Sequence, residues 1–330
     1  MFSGRKWPLA VLVISSTAIA AGTIKQEGSF EAGRHAYEAS DYVKAIQALQ
    51  AAAAKDPQNG DVQLLLAKSY LELQQHDAAI KSAEKAVAIE AQNSIYHEWL
   101  GRAYGEKADH AGWLSAISLA KKTRREFEAA VQLDARNFSA RQALIEFDCS
   151  APGLVGGGED KALPQIKQLA EMDAAEGHYA AGNCRRQKKD FAAADEEFAK
   201  ALESDPRSAE LIFDIGDYAV KRGQTERLIA VADAGERVAP GDARAKFYRG
   251  VALVLKKENP EEAERLLKQY AERAPTRSGY PRPAAAHAWL GRLFEGQDKM
   301  EEAAREFENA LKLDSKNKMA QEALKRLKKS

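Results

Sequence analysis

A repeat period of 34 residues limits this chain more than any other feature. Ala45-Ile46 and Ala79-Ile80 are spaced by 34, and each pair is followed seven residues later by alanine, at Ala52 and Ala86. Self-similarity at a fixed period in this range means stacked supersecondary units, none of which buries its apolar face alone. The same frame returns at Ala194 with Phe198, Ala201 and Pro206, at Leu228 with Ala232, Gly235 and Pro240, and at Ala263 with Leu267 and Pro275. It closes with Trp289-Leu290-Gly291-Arg292, Phe294, Ala303, Phe307 and Ala310. Two further copies carry insertions, one running from His97 to Tyr104 with Phe127 and Ala130, the other from Arg141 to Asp148 with Ala162, Ile166 and Leu169, which makes eight copies.

Composition decides what each unit is made of. Alanine, leucine, glutamate, lysine, arginine and glutamine dominate, all of which lose little rotamer freedom in a helix, while β-branched runs of strand length are nearly absent. Each copy therefore reads as a helix pair. A small residue at Gly33, Ala67, Gly101, Gly182, Gly216, Gly250 or Gly291 lets the first helix approach the second. Side chains such as Tyr70, Tyr104, Phe198, Phe294 and Phe307 fill the space that remains. Pro57, Pro206, Pro240 and Pro275 end the second helices, because proline lacks the amide donor and clashes with the preceding turn.

On these residues, from about Gln26 to Lys316, the chain resembles the tetratricopeptide-repeat (TPR) family. The resemblance implies an all-α, right-handed solenoid of about eight helix pairs whose first helices line a concave groove. It implies a non-catalytic scaffold that holds a protein or peptide partner. We expect the solenoid over 21–316, with inserts near 105–122 and 151–160, and a capping helix over 317–330, where Met319, Ala323, Leu324 and Leu327 share one side.

The inserts are the departures from the family. Leu114, Ile117, Ala120 and Arg124 continue helical spacing into Phe127, which predicts a second helix lengthened by several turns. The fourth copy carries Ala151-Pro152-Gly153-Leu154-Val155-Gly156-Gly157-Gly158 between its helices, a composition suited to a compact loop. Both inserts leave between paired helices, so Trp113 and Leu114 are expected to meet Leu154 or Val155. The alternative is an exposed Trp113 that anchors a partner. A similar pairing of inserts marks exported bacterial TPR proteins.

Arg5 and Lys6, the apolar run Pro8 to Ala21 and the Ala18-Ile19-Ala20 pattern read as a secretory leader over 1–20, cut after Ala20, which places the protein in the periplasm or outside the cell. The 18 uncharged residues from Trp7 to Ile24 equally meet the lower limit of a bilayer span, so the segment is either a leader or a retained inner-membrane anchor of an outward-facing chaperone or envelope-assembly factor. Membrane contact is expected only in that second case. The 49 basic and 49 acidic residues are interspersed without blocks of one sign, which argues against nucleic acid.

No catalytic, cofactor or metal constellation emerges. His97-Glu98 resembles the start of a zinc-protease motif, but the residue four after His97 is Gly101. His35, His76, His110, His178 and His287 do not pair at ligand spacing. Gly156-Gly157-Gly158-Glu159-Asp160-Lys161-Ala162 lacks the Gly-Lys-Ser/Thr ending of a phosphate loop and sets carboxylates where phosphate would lie. Cys149 and Cys184 sit on the first helices of adjacent copies. A bridge needs Cα atoms within about 7 Å, whereas packed axes are about 8–10 Å apart, so a disulfide and two buried thiols both stand.

By the resemblance, a groove-facing place lies just after the small residue, at Arg34, Lys68, Arg102, Asn183, Asp217, Val251 and Arg292. Arg34, Lys68 and Arg102 are all basic and are expected to point into one groove, where they would suit an acidic or C-terminal carboxylate peptide, although the full clamp of cochaperone domains is absent. Four places earlier, Tyr179, Phe213 and Phe247 make the later part of the groove more apolar, with Val220, Val254 and Leu255 nearby. These residues serve as ligand anchors or as packing between repeats.

Overall fold

In the computed structural model, residues 17–327 are described, with side chains from residue 28 onward. The expected leader therefore falls outside the described side chains. Every regular element among the described residues is helical, and the chain divides into two compact units, 1–90 and 91–330. The first unit holds two helix pairs, α1 (Thr17–Glu38) with α2 (Tyr42–Lys55) and α3 (Gly60–Glu72) with α4 (His76–Ile89). Its core is Ala45, Leu49, Ala52, Val62 and Leu66, with Phe30 and Tyr70 packed against them.

The second unit holds six pairs and a final helix. They are α5 (Ser94–Asp109) with α6 (Trp113–Leu133), α7 (Phe138–Ser150) with α8 (Glu159–Met172), and α9 (Ala174–Gln187) with α10 (Phe191–Glu203). Next come α11 (Ala209–Arg222) with α12 (Thr225–Val238), α13 (Ala243–Lys256) with α14 (Pro260–Arg273), and α15 (Pro283–Glu295) with α16 (Met300–Leu313). Helix α17 (Lys318–Leu327) closes the stack by burying Ala320 and Ala323. Together the two units contain the eight pairs and capping helix expected from the repeats.

Glycine packing explains why the period is kept. A Cβ added at Gly101, Gly182 or Gly291 would stand 2.6 Å from the ring of Phe127, Phe198 or Phe307 on the paired helix, so the ring occupies the volume that a side chain would need. The α11–α12 pair solves the same problem differently. Ala232 replaces the aromatic on α12, and the gap over Gly216 is filled by Tyr248 of α13, with its ring carbons 2.7 Å from the added Cβ. Chain starts are fixed by side-chain caps: Asn59, Asn93, Asn137, Asp173, Ser208 and Asp242 each accept from a backbone amide in the first turn of a first helix. Several of these caps also recur at the repeat period.

Candidate functional site

The first-helix faces carry the candidate site, and each sequence-predicted residue has a definite place on them. Arg34, on α1, is paired on its own helix, with Nη2 2.5 Å from Glu31 and Nη1 2.6 Å from Glu38. Lys68 is half-buried on α3, its neighbour in the first unit. Arg102, on α5 of the second unit, donates from Nε to Glu98 at 3.0 Å and from Nη2 to Ser139 of α7 at 3.0 Å, and lies over the Trp99 ring. Arg34 and Arg102 thus have carboxylate partners within about one turn of their own helices, which a ligand carboxylate would have to displace. Arg292 is exposed and stacks over Trp289, whereas Val251 is wholly buried.

Phe213 and Phe247 are corrections. They are 1% and 2% exposed and lie in the main core with Tyr248, Tyr270 and Trp289, so they are packing residues and present no surface to a ligand. The reason is local: Gly235 of α12 leaves room for the Phe213 ring, and Phe247 packs on Tyr270 of α14 with ring centroids 4.9 Å apart. Val220, Val254 and Leu255 are half-buried against the same core.

Tyr179 behaves differently. It is half-buried on α9, and its hydroxyl donates to Asp214 Oδ2 of α11 at 3.0 Å, where Arg186 Nη1 also approaches at 3.3 Å. Burial and the Asp214 carboxylate push the Tyr179 phenol well above its ordinary range, so it stays a hydrogen-bond donor at any physiological pH. Beside it Asn183 is 6% exposed and its Oδ1 has no donor among the described residues; one turn on, Gln187 Nε2 is held by Glu146 at 3.1 Å while its buried Oε1 also lacks one there. Two buried amide oxygens without donors therefore lie four residues apart on one helical face. Around them the surface is polar and cross-linked between pairs. Gln142 of α7 donates to Glu176 of α9, and Tyr248 of α13 donates to Asp217 of α11 at 2.7 Å. Burial raises both carboxyls, Glu176 and Asp217, against the pull of these hydrogen bonds.

The inserts meet, but not where the sequence suggests. Helix α6 is 21 residues long against 13 in α10, the second helix of the fifth pair, as its spacing predicts. The glycine-rich insert forms a 3-10 turn at Gly153–Val155 and reverses at Gly156, whose φ is 102°. Gly157 is required because a Cβ there would stand 2.0 Å from the Ala151 carbonyl oxygen. The loop lies against Lys121, Arg124, Arg125 and Glu128 around a cavity of about 310 Å³. Trp113 and Leu114, nearer the start of α6, remain 72% and 67% exposed, and Leu154 is 70% exposed. The fixing contact is electrostatic. Asp148, near the end of α7, is fully buried and accepts from Arg124 Nε at 2.9 Å and Gln165 Nε2 at 3.0 Å, which ties α7 to the middle of α6, while its carbonyl accepts from Gly158 of the loop at 2.8 Å. Burial raises the Asp148 carboxyl, and the Arg124 guanidinium opposes that rise. Cys149, next in the chain, is bonded to Cys184 of α9, with Cα atoms 5.4 Å apart. The disulfide alternative is the one the fold adopts, because adjacent first helices turn these two side chains toward each other.

Two arrangements escaped sequence reasoning. His97, His178 and His287 each hold a glutamate of the paired helix at 2.6–2.7 Å, namely Glu126, Glu197 and Glu306. The signal was present, since the spacing of 19 recurs and the third pair departs from it by the ten-residue insert. The other is Arg244, only 2% exposed. It is clamped bidentately by Glu210 at 2.7 and 3.0 Å, paired with Asp242 at 2.8 Å, and stacked between the Phe213 and Tyr280 rings at 4.2 Å each. Burial would raise the Asp242 carboxyl, but Arg244 holds it below the usual range.

Comparison with known proteins agrees with the helix pairs. Residues 36–102, 175–208, 213–277 and 253–318 match tetratricopeptide-repeat signatures. The chain belongs to the tetratricopeptide-repeat family, whose fold is that of a protein–protein interaction scaffold. Among solved structures, a thermophilic TPR protein of Thermus thermophilus is 20% identical, with TM-score 0.46, over 56% of this chain and 94% of that one. MamA is 22% identical with TM-score 0.40, over 52% and 93%. A tetratricopeptide-repeat protein of Parabacteroides merdae is 15% identical with TM-score 0.44, over 92% and 98%. No curated protein matches the chain.

Proposed function

We propose that the second unit holds an extended segment of a partner protein along α9 and α11, and that the protein acts as a scaffold with no turnover of its own. The observation that carries this reading is the pair of buried, donorless amide oxygens of Asn183 and Gln187. A backbone N–H is the donor that any extended peptide brings, and leaving such acceptors unmet costs about 1–3 kcal/mol each. Arg186 flanks them with further guanidinium N–H donors and Tyr179 with a hydroxyl oxygen free to accept, both held in place by Asp214. Arg34 in the first unit and Arg102 in the second take a lesser part, because each already neutralises a neighbouring glutamate.

The test is to select peptides from a display library against the full chain and compare their affinity for the wild type and for an Asn183→Leu/Gln187→Leu double variant. The variant should melt no lower than the wild type and bind the selected peptides at least tenfold more weakly, about 1.4 kcal/mol. Equal affinity would remove the groove reading.

A second reading has its own observation. Trp113 and Leu114 form an exposed apolar pair at the start of α6, and large aromatics of this kind anchor interfaces. The site of action we propose is the periplasm or the cell exterior. The leader-like N-terminus and the Cys149–Cys184 bridge both support this, since structural disulfides persist in oxidising compartments. Mass spectrometry of the protein expressed in a bacterial host with its own N-terminus decides between a leader cut after Ala20 and a retained anchor. Among the described residues no helix is long and apolar enough to cross a membrane.

A further inference from the structure

A second cleft lies in the first unit, between the second helices α2 and α4. Here the helices enclose a cleft of about 760 Å³ floored by Leu66 and Tyr70 of α3 and walled by alanines of α2 and α4. From Ala78 to Ile89 its α4 wall runs for about 16 Å. One corner is braced by Gln50 of α2, which donates to the Tyr70 hydroxyl at 2.8 Å.

Three observations give the cleft a chemistry. Gln63, only 4% exposed as a residue, lines it and brings an amide, both donor and acceptor, to its wall. Ser82, 7% exposed, adds a hydroxyl on the facing wall. Lys81 and Lys85 stand one helical turn apart on that wall, both exposed, neither in an ion pair with a described residue, and no carboxylate is among the lining residues. Like charges at this spacing repel, and an anion brought between them relieves that repulsion.

We propose that this cleft docks an acidic amphipathic helix of a partner protein about three turns long. Its apolar side chains would settle on Leu66 and Tyr70, and its carboxylates would reach Lys81 and Lys85. The mode is helix-in-groove: anchors at i, i+3, i+4 and i+7 fit a trough between two helices, and the trough's length matches such a segment. The site is built from α2, α3 and α4 of the first unit and shares no residue with α9 and α11, so it stands or falls independently of the peptide site there.

The test uses the full chain and a synthetic fluorescent helix of about fourteen residues, with leucines at the four anchor places and glutamates on the flanks, titrated by anisotropy at low salt. Saturable binding is expected, weakened at least tenfold by Lys81→Glu/Lys85→Glu and by raising the salt to about 0.5 M, where exposed charges are screened within a few ångströms. Ala88→Trp, at an exposed position on the cleft wall, should abolish binding without lowering the melting temperature. A peptide with lysines in place of glutamates should bind the charge-reversed chain and not the wild type. Asn183→Leu/Gln187→Leu should leave this binding unchanged. No saturable binding, equal affinity in the reversed chain, loss of binding in the Asn183/Gln187 variant, or equal competition by free glutamate would each overturn the proposal. So would Lys81-dependent self-association that excludes the peptide, since the occupant would then be a second copy of this chain.

Discussion

Gly182 and Gly291 show how two opposed effects are weighed at a single residue. Glycine inside a helix is less favourable than alanine by about 1 kcal/mol, which by itself makes Gly→Ala stabilising. Here the new Cβ meets a buried phenylalanine ring at 2.6 Å, and overpacking of that kind costs about 1–3 kcal/mol. We therefore expect Gly182→Ala and Gly291→Ala to lower stability in denaturant unfolding, against the propensity trend. Arg244 gives the second case. Arg244→Ala should cost about 3–5 kcal/mol because it strands the largely buried Asp242 carboxylate, whereas Glu210→Ala, at a carboxylate 72% exposed, should cost about 1 kcal/mol or less. The Asp242 carboxyl is held below its unfolded value, so its contribution is present above about pH 4 and is lost as the pH falls through the folded value. An acid titration of stability should accordingly be shallower below about pH 4 in Arg244→Ala than in the wild type.

At the scale of elements, the lengthened α6 and the glycine insert form one locally tied region. Cys149–Cys184 closes a loop of 35 residues in sequence separation, which on the chain-entropy view contributes about 4 kcal/mol. Cys149→Ser/Cys184→Ser should lower the unfolding free energy by a figure of that order, and thiol titration of the denatured, unreduced wild type should find no free cysteine. Trp113→Ala should leave stability within about 0.5 kcal/mol, as for an exposed side chain, where a buried tryptophan would cost about 3–5 kcal/mol. The extension of α6 was legible because Leu114, Ile117 and Ala120 keep helical spacing. The landing place of the loop was not. It is set by a buried Asp148–Arg124 pair, and nothing in a sequence marks one carboxylate among 49 as buried.

Over the whole molecule, the repeat frame alone yields the eight pairs and the capping helix, because a small residue on the first helix facing a large apolar side chain returns in copy after copy. The candidate site was legible only in part. Tyr179 keeps part of its surface on α9, but the same place at Phe213 and Phe247 is core, where Phe213 sinks against Gly235 of α12 and Phe247 against Tyr270 of α14. Polar contacts that cross between pairs, such as Tyr179 with Asp214, join residues about one period apart and come from no single motif. The claim on which the functional reading rests is that Asn183 and Gln187, whose side-chain oxygens are covered and without donors among the described residues, turn these acceptors to a bound chain. A co-crystal of the full protein with a peptide selected against it tests this directly. The peptide should lie along α9 and α11 with a backbone nitrogen within about 3.2 Å of Asn183 Oδ1; a peptide seated at Trp113, with the Asn183 and Gln187 oxygens untouched, would contradict it.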